Sequence, residues 1–402
     1  MIAGEWEQAA RAVLAGLDES QLYRRRKLVT SIDATHVICD GREYVNFASN
    51  NYLGLTHHPQ VLAAAERSLR EAGTGSGASP LITGYGPAHA SAEGHIAKWK
   101  GTEAAIILPS GYQANHAAIQ TLAAVAEKDR RKLRFNLDKL CHASLIDAVR
   151  GTGLPFRIFP HNGLGKLRRL LEEAVQDELQ VVVTESIFSM DGDAADLPGL
   201  AKLKAESPFT LLLDEAHATG VYGPAGSGLA AEMNLRAAVD VTVITLSKAI
   251  GCGGGAVCGS QAFCESLINL ARAYIYSTSL PPVLAAVADA AITVMECEPR
   301  RQQRLREISK HVRAELSRSG HNILPGDSPI IPVVLGSEST TLSAADRLLQ
   351  HGTLCLAIRP PTVPRGTSRL RITLCSEHTD AEIERLIRGI REIPFKRADV
   401  GR

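Results

Sequence analysis

At 402 residues the chain exceeds what a single hydrophobic core normally holds, so two domains are expected. Hydrophobic residues make up 45% and charged residues 22%, an ordinary globular profile, and the net charge of +1 leaves no electrostatic footprint for nucleic acid. No stretch reaches the ~18 apolar residues of a membrane span, the N-terminus lacks a signal-peptide pattern, and the eight cysteines include no C-x-x-C pair, so a cytoplasmic protein with reduced thiols, no metal and no membrane partner is expected.

In chain order, Glu5 to Leu17 reads as an amphipathic helix. The cluster Arg24-Arg25-Arg26-Lys27 follows, either a solvated helix end or a grip for an anionic substrate group. Tyr44 to Leu55 is a short strand running into a turn, and Pro59 to Ala72 is a helix with proline in its first turn. Gly73-Thr74-Gly75-Ser76-Gly77-Ala78-Ser79 breaks regular structure. From residue 100 strands alternate with helices. The predicted strands are Ala104–Leu108, Leu133–Leu137, Phe156–Phe159, Val181–Thr184, Thr210–Leu213, Val241–Leu246 and Gly255–Cys258. Helices include Gln113–Ala126, Gly165–Asp177 and Leu197–Glu206. This order predicts an α/β fold around a mainly parallel, seven-stranded sheet. A long helix from Leu284 to Ser319, broken near Pro299, leads into a smaller α+β unit. Its strands are Ile331–Leu335, Leu354–Ile358 and Leu370–Leu374, with helices Leu342–His351 and Asp380–Glu392. The expected division is 1–55 for an N-terminal segment, 56–290 for a large α/β domain and 291–402 for a C-terminal α+β domain.

Two strand ends stand out. One carries Asp214-Glu215-Ala216-His217, the other Thr245-Leu246-Ser247-Lys248 followed by the glycine-dense Gly251 to Gly255. Ligands in open α/β sheets bind beyond the carboxyl ends of strands, so both motifs should face one crevice. A strand-end lysine alone is most simply a surface residue. Paired with a strand-end carboxylate and nearby hydroxyls, it matches what pyridoxal phosphate (PLP) demands: an amine for the aldehyde, a carboxylate for the pyridinium nitrogen and a phosphate grip. Asp214 suits the ring nitrogen and His217 the phenolic oxygen. Thr245, Ser247 and the run Tyr276-Ser277-Thr278-Ser279 offer hydroxyls to a phosphate. Ser110-Gly111-Tyr112 opens a helix after a strand, where backbone N–H groups can meet an anion. His142 also follows a strand; it could stack on a cofactor ring, or simply cap a helix. Gly251 to Ala256 fits G-x-G-x-x-A, but a strand follows it, which excludes a dinucleotide fingerprint.

Over nearly its whole length the sequence resembles the α-oxoamine synthases, PLP enzymes of fold type I. The resemblance rests on Asn46 to Leu55, His142-Ala143-Ser144, Thr184 to Asp193, Asp214 to Gly220, Thr245 to Ala249 and Tyr276 to Pro282, in the family's order and spacing. It implies that Lys248 carries the cofactor and shuttles a proton, that Asp214 pairs with the pyridinium nitrogen, and that His142 stacks on the ring. His217 and Ser189 then serve the phenolic oxygen, Gly111 and Tyr112 the phosphate by backbone, and Thr245 the phosphate by hydroxyl. Arg371 matches the arginine that holds the amino-acid carboxylate, and Asn50 lies in the first motif. Ser277 and Thr278 imply a homodimer with shared active sites, since in the family this segment reaches the partner subunit's phosphate.

The stretch Ala357 to Thr367, with Thr362 within it, and the basic cluster at Arg24 resemble the subgroup that joins L-alanine to a pimeloyl thioester in biotin biosynthesis. The acyl carrier is either coenzyme A or an acyl-carrier protein. Glycine C-acetyltransferase or another α-oxoamine synthase is the alternative enzyme; a catalytically inactive PLP-fold binding protein is the non-enzyme one. Asp214-Glu215-Ala216-His217 also spells a helicase box, but that reading needs G-x-x-x-x-G-K-[S/T], and the Gly165-Lys166 pair is followed by Leu167.

Overall fold

The computed structural model describes residues 4–20 and 22–393. Its strands are β1 (Val29–Ser31), β2 (His36–Cys39), β3 (Arg42–Asn46), β4 (Ala104–Leu108), β5 (Leu133–Asp138), β6 (Phe156–Phe159), β7 (Leu179–Glu185), β8 (Thr210–Asp214), β9 (Val241–Thr245), β10 (Gly255–Gly259), β11 (Ile330–Gly336), β12 (Thr353–Leu354), β13 (Leu356–Ile358) and β14 (Ser368–Thr373). The central sheet has the order β4-β10-β9-β8-β7-β5-β6. Neighbours from β9 to β6 pair in parallel, and β10 runs antiparallel to both β9 and β4. The expected mainly parallel seven-stranded sheet of fold type I is therefore present.

Such a sheet must be covered on both faces, and its strands are correspondingly, for the most part, buried and apolar, with β5 carrying the buried Arg134, Asn136 and Asp138. Alternate residues serve opposite layers. Leu211, Leu213 and Ile244 join one core cluster, while Leu212, Val241 and Val243 join the other. The first cluster continues into the C-terminal domain through Ile331, Leu370, Ile372 and the apolar face of the helix Asp380–Arg391.

Some boundaries differ from the sequence reading. The helix expected over Gly165–Asp177 ends at Glu172, and Asp177 has a left-handed φ of 61° that no helix tolerates. The strand expected over Leu354–Ile358 is two strands. Thr353 and Leu354 pair with β3, whereas Leu356 to Ile358 pair with β14, so the chain changes sheets at Cys355. The β1–β2 hairpin and the helix Pro87–Lys100 were not anticipated. That helix has buried His89, Glu93 and Lys100 on a face that apolar periodicity does not reveal.

The antiparallel β10 is what brings the helix Gly111–Lys128 to the top of the sheet. A Cβ added at Gly255 would lie 2.6 Å from Gly111 Cα and 2.7 Å from its nitrogen, and one at Gly111 would lie 3.0 Å from Thr245 Cβ. The helix start thus rests directly on β10 and on the end of β9. We predict that Gly255→Ala, which adds one methyl against backbone, lowers stability by about 1–3 kcal/mol in denaturant unfolding. Unchanged stability would contradict the close approach.

Candidate active site

The carboxyl ends of β7, β8 and β9 are in register: Glu185 pairs with Asp214, and Asp214 with Val243. Glu185, Asp214 and the turn beyond Thr245 line one cavity of about 260 Å³. Asp214 is buried, and its two oxygens are held separately. Oδ1 accepts from Ala216 N at 2.8 Å, and Oδ2 accepts from Asn115 Nδ2 at 2.8 Å. The other Asn115 amide hydrogen goes to Ser144 Oγ at 2.9 Å. Glu215, next in sequence, points away and forms a buried ion pair with Lys100, which anchors the turn from behind.

Lys248 follows β9 in a tight turn. Its Nζ lies 2.8 Å from His217 Nε2, and His217 Nδ1 lies 2.6 Å from the Tyr52 hydroxyl. Thr245 and Ser247 present paired hydroxyls 2.8 Å apart. Opposite them the helix Gly111–Lys128 begins, capped by Ser110 Oγ, which accepts from Gln113 N at 3.1 Å. An 18-residue helix start beside two hydroxyls is a ready anion site. His142 lines the same cavity and is also the N-cap of the helix Ala143–Gly151. Its backbone N–H donates to Glu185 Oε1 at 2.6 Å.

Burial sets the protonation states. It lowers the Lys248 ammonium from 10.5 to about 8, and the neighbouring Asp214 carboxylate limits that fall. Burial also drives His217 well below its usual range, reinforced by Lys248 and Arg371, so the imidazole is neutral. Burial and then Asp214 push the Glu185 carboxyl well up. His142 is lowered by burial as well.

The cavity therefore gathers Gly111, Tyr112, His142, Asp214, His217, Thr245 and Lys248. Arg371, Asn50 and Ser189 adjoin it as a connected set. Arg371 Nε donates to Ser189 O at 2.7 Å, and both its terminal nitrogens reach Asn50 Oδ1 at 3.3 Å. The Tyr112 hydroxyl turns outward to Asp147 at 2.6 Å, leaving its backbone toward the cavity. Arg24, Ser277, Thr278 and Thr362 do not line this cavity; Arg24, Thr278 and Thr362 are exposed. Sequence reasoning missed Tyr52, Asn115, Ser144 and Glu185. Asn115 stands four residues after Gly111, hence on the same helix face, and that spacing was its signal. Tyr52 carries no such mark, because a buried tyrosine reads as core.

This donor set fits PLP. An amine of depressed pKa and a buried carboxylate share one enclosed space, and the backbone at Gly111, too close to Thr245 to carry a side chain freely, leaves room for an anion at the helix start. Comparison with known proteins agrees. The family model for aminotransferases of class I and II matches residues 42–390. The 8-amino-7-oxononanoate synthase of Geobacter sulfurreducens is 39% identical over 394 residues, which are 98% of this chain and 97% of that protein. The serine palmitoyltransferase of S. paucimobilis, solved with bound PLP, superposes with a TM-score of 0.89 at 28% identity, covering 95% and 96% of the two chains. The 8-amino-7-oxononanoate synthase of Francisella tularensis gives 0.74 at 27% identity, covering 87% and 97%.

The electrostatics predict a labelling profile. In cofactor-free protein, acylation of Lys248 followed by peptide mass spectrometry should rise with a midpoint near 8, because the amine is neutral above that pH. Asp214→Asn should move the midpoint lower still, since the carboxylate favours the ammonium. A midpoint near 10.5 would contradict the buried setting.

Proposed function

The chain belongs to the α-oxoamine synthases within the aminotransferase class I and II family, and we propose that it condenses L-alanine with a pimeloyl thioester to give 8-amino-7-oxononanoate, CO2 and the free thiol, the step that serves biotin biosynthesis. The observation that carries this reading is the near-full-length kinship, at 37–43% identity, to 8-amino-7-oxononanoate synthases, joined to a site that holds Lys248, Asp214 and Arg371 together. PLP is the cofactor, and when bound it supplies a protonated ring that accepts the electrons released at the amino-acid α-carbon.

The residues divide the work by position. Lys248 holds the cofactor and moves the α-proton; a pKa of about 8 leaves a substantial neutral fraction at physiological pH. Asp214, fixed by Asn115 and by the Ala216 N–H, keeps an anion where the ring nitrogen would sit. His142 covers the ring, and His217 with Ser189 serves the phenolic oxygen. The N–H groups at Gly111 and Tyr112 and the Thr245 hydroxyl hold the phosphate. Arg371, steadied by Asn50 and Ser189, takes the substrate carboxylate in a bidentate grip. The chain acts as a homodimer in which Ser277 and Thr278 of each subunit reach the phosphate site of the other. Arg24 and Thr362 lie on the acyl side, where the carrier, coenzyme A or an acyl-carrier protein, approaches. Among the described residues no helix is long and apolar enough to cross a membrane.

A substrate panel tests this reading. Purified enzyme is given L-alanine, glycine or L-serine with acetyl, pimeloyl and palmitoyl thioesters, and CO2 release is followed. Alanine with the pimeloyl thioester should give the highest kcat/KM. Alanine should lead glycine by only about 10–200-fold, since one methyl is worth about 1–3 kcal/mol in such a pocket. Preference for glycine with the acetyl thioester, or for serine with the palmitoyl one, would overturn the substrate assignment. Asp214→Asn should retain cofactor yet slow α-proton exchange of alanine by about 10²–10³-fold, the usual scale for losing a preorganised charge; exchange at the unaltered rate would show that Asp214 does not face the nitrogen.

A further inference from the structure

Tyr52 has no part in the site as assigned so far, yet it is fully buried and its hydroxyl ends on His217. It lies in the turn after β3, and its backbone oxygen accepts from Ser376 N at 2.8 Å, which ties it to the C-terminal domain. Its ring meets the imidazole edge-on, with centroids 6.1 Å apart. The geometry holds the hydroxyl 2.6 Å from His217 Nδ1 and 3.4 Å from Asn50 Oδ1.

A phenol has one hydrogen to donate. Asn50 Oδ1 already receives both Arg371 terminal nitrogens, and a guanidinium can only donate. His217 Nδ1 is the nearer of the two neighbours and Asn50 Oδ1 is already engaged, so we assign the Tyr52 hydrogen to Nδ1. A neutral imidazole that accepts at one nitrogen carries its proton on the other. His217 is buried, and that burial above all drives it well below its usual range, which keeps the ring neutral. Nε2 then presents an N–H toward Lys248 Nζ 2.8 Å away, and the lone pair of the neutral amine, the form Lys248 takes above a pKa of about 8, accepts it.

We propose that Tyr52 is a positioning residue that fixes the His217 tautomer, placing the imidazole proton on Nε2, the nitrogen turned toward Lys248 and the cofactor's phenolic oxygen. The inference rests on the PLP reading above but not on which amino acid or acyl chain is used. An imidazole locked in this form donates to a phenolic oxygen without a proton shift beforehand. With the opposite tautomer, Nε2 would face that oxygen lone pair to lone pair.

The test uses full-length holoenzyme with ¹⁵N-labelled histidine. The His217 resonances are identified by their loss in His217→Asn. Long-range proton–nitrogen correlations should show a single tautomer protonated at Nε2. Tyr52→Phe keeps the ring and its packing and removes one oxygen. It should give a mixture of tautomers, and kcat for CO2 release should fall about 10- to 100-fold, the usual scale for losing the group that orients a functional histidine. KM for the amino acid should stay within about twofold. A proton on Nδ1 in the unaltered enzyme overturns the proposal. So does a Tyr52→Phe enzyme that keeps the Nε2 tautomer whatever its rate, or one that changes tautomer at unchanged kcat. The tautomer is read without any acyl substrate, so a failed substrate panel and a failed tautomer assignment are separate results.

Discussion

An amine removed from water is the constraint to which the rest of this structure responds. Lys248 is partly buried, with its amine turned into the cavity, and desolvation lowers its pKa. The Asp214 carboxylate in the same cavity restrains that fall, leaving an amine near the middle of the physiological range. Arg371 works in the opposite direction, and the neutral His217 adds a hydrogen-bond partner without adding charge. The balance is local. Removing the Asp214 charge would lower the Lys248 pKa further, with Glu185 left to oppose the fall.

That balance depends on the fold through strand register. β7 and β8 end level, with Glu185 opposite Asp214, and β9 runs past Val243, the partner of Asp214, to Thr245, so Glu185, Asp214 and the turn beyond Thr245 surround one cavity. Behind them the Lys100–Glu215 pair is closed by further bonds, from Lys100 to Ser227 O and from Ala230 N to Glu215 Oε1, so the buried charges are compensated and the turn after Asp214 is fixed. The turn from Phe188 to Asp193 is strapped similarly. His161 bridges Asp138 and Asp193, with its pKa raised to about 10 by hydrogen bonds to those carboxylates that outweigh its burial. Arg369 pairs with Asp191, and Ser328 Oγ donates to Gly192 O at 2.6 Å. Ser189 within that turn receives Arg371, so the C-terminal domain delivers its guanidinium to a support that belongs to the large domain.

The parts legible in sequence were those with a periodic or chemical signature. Apolar runs marked most strands of the central sheet, although β5 carries Arg134, Asn136 and Asp138, and Pro59 marked a helix start that the structure reproduces to the residue. Lys248, Asp214 and His217 were visible because they stand at strand ends, where polar residues need a reason. Tyr52 and Asn115 were not, because their roles come from contacts 165 and 99 residues away along the chain. The split of Thr353–Ile358 between two sheets was hidden for the same reason: local pattern gives a strand but not its partner. Ser277 and Thr278 do not line the cavity of their own chain, and a partner's cavity is not something a one-chain pattern can display.

The proposed function requires a single covalent partner for the cofactor, and we assign that role to Lys248. Lys100, more deeply buried than Lys248, is already paired with Glu215 on the far side of the turn. Holoenzyme treated with borohydride, digested and mapped by mass spectrometry measures this directly. The account predicts one pyridoxyl adduct per chain, on Lys248, with loss of the near-visible absorbance. An adduct on a different lysine, or a coloured holoenzyme that borohydride leaves unlabelled, would contradict it.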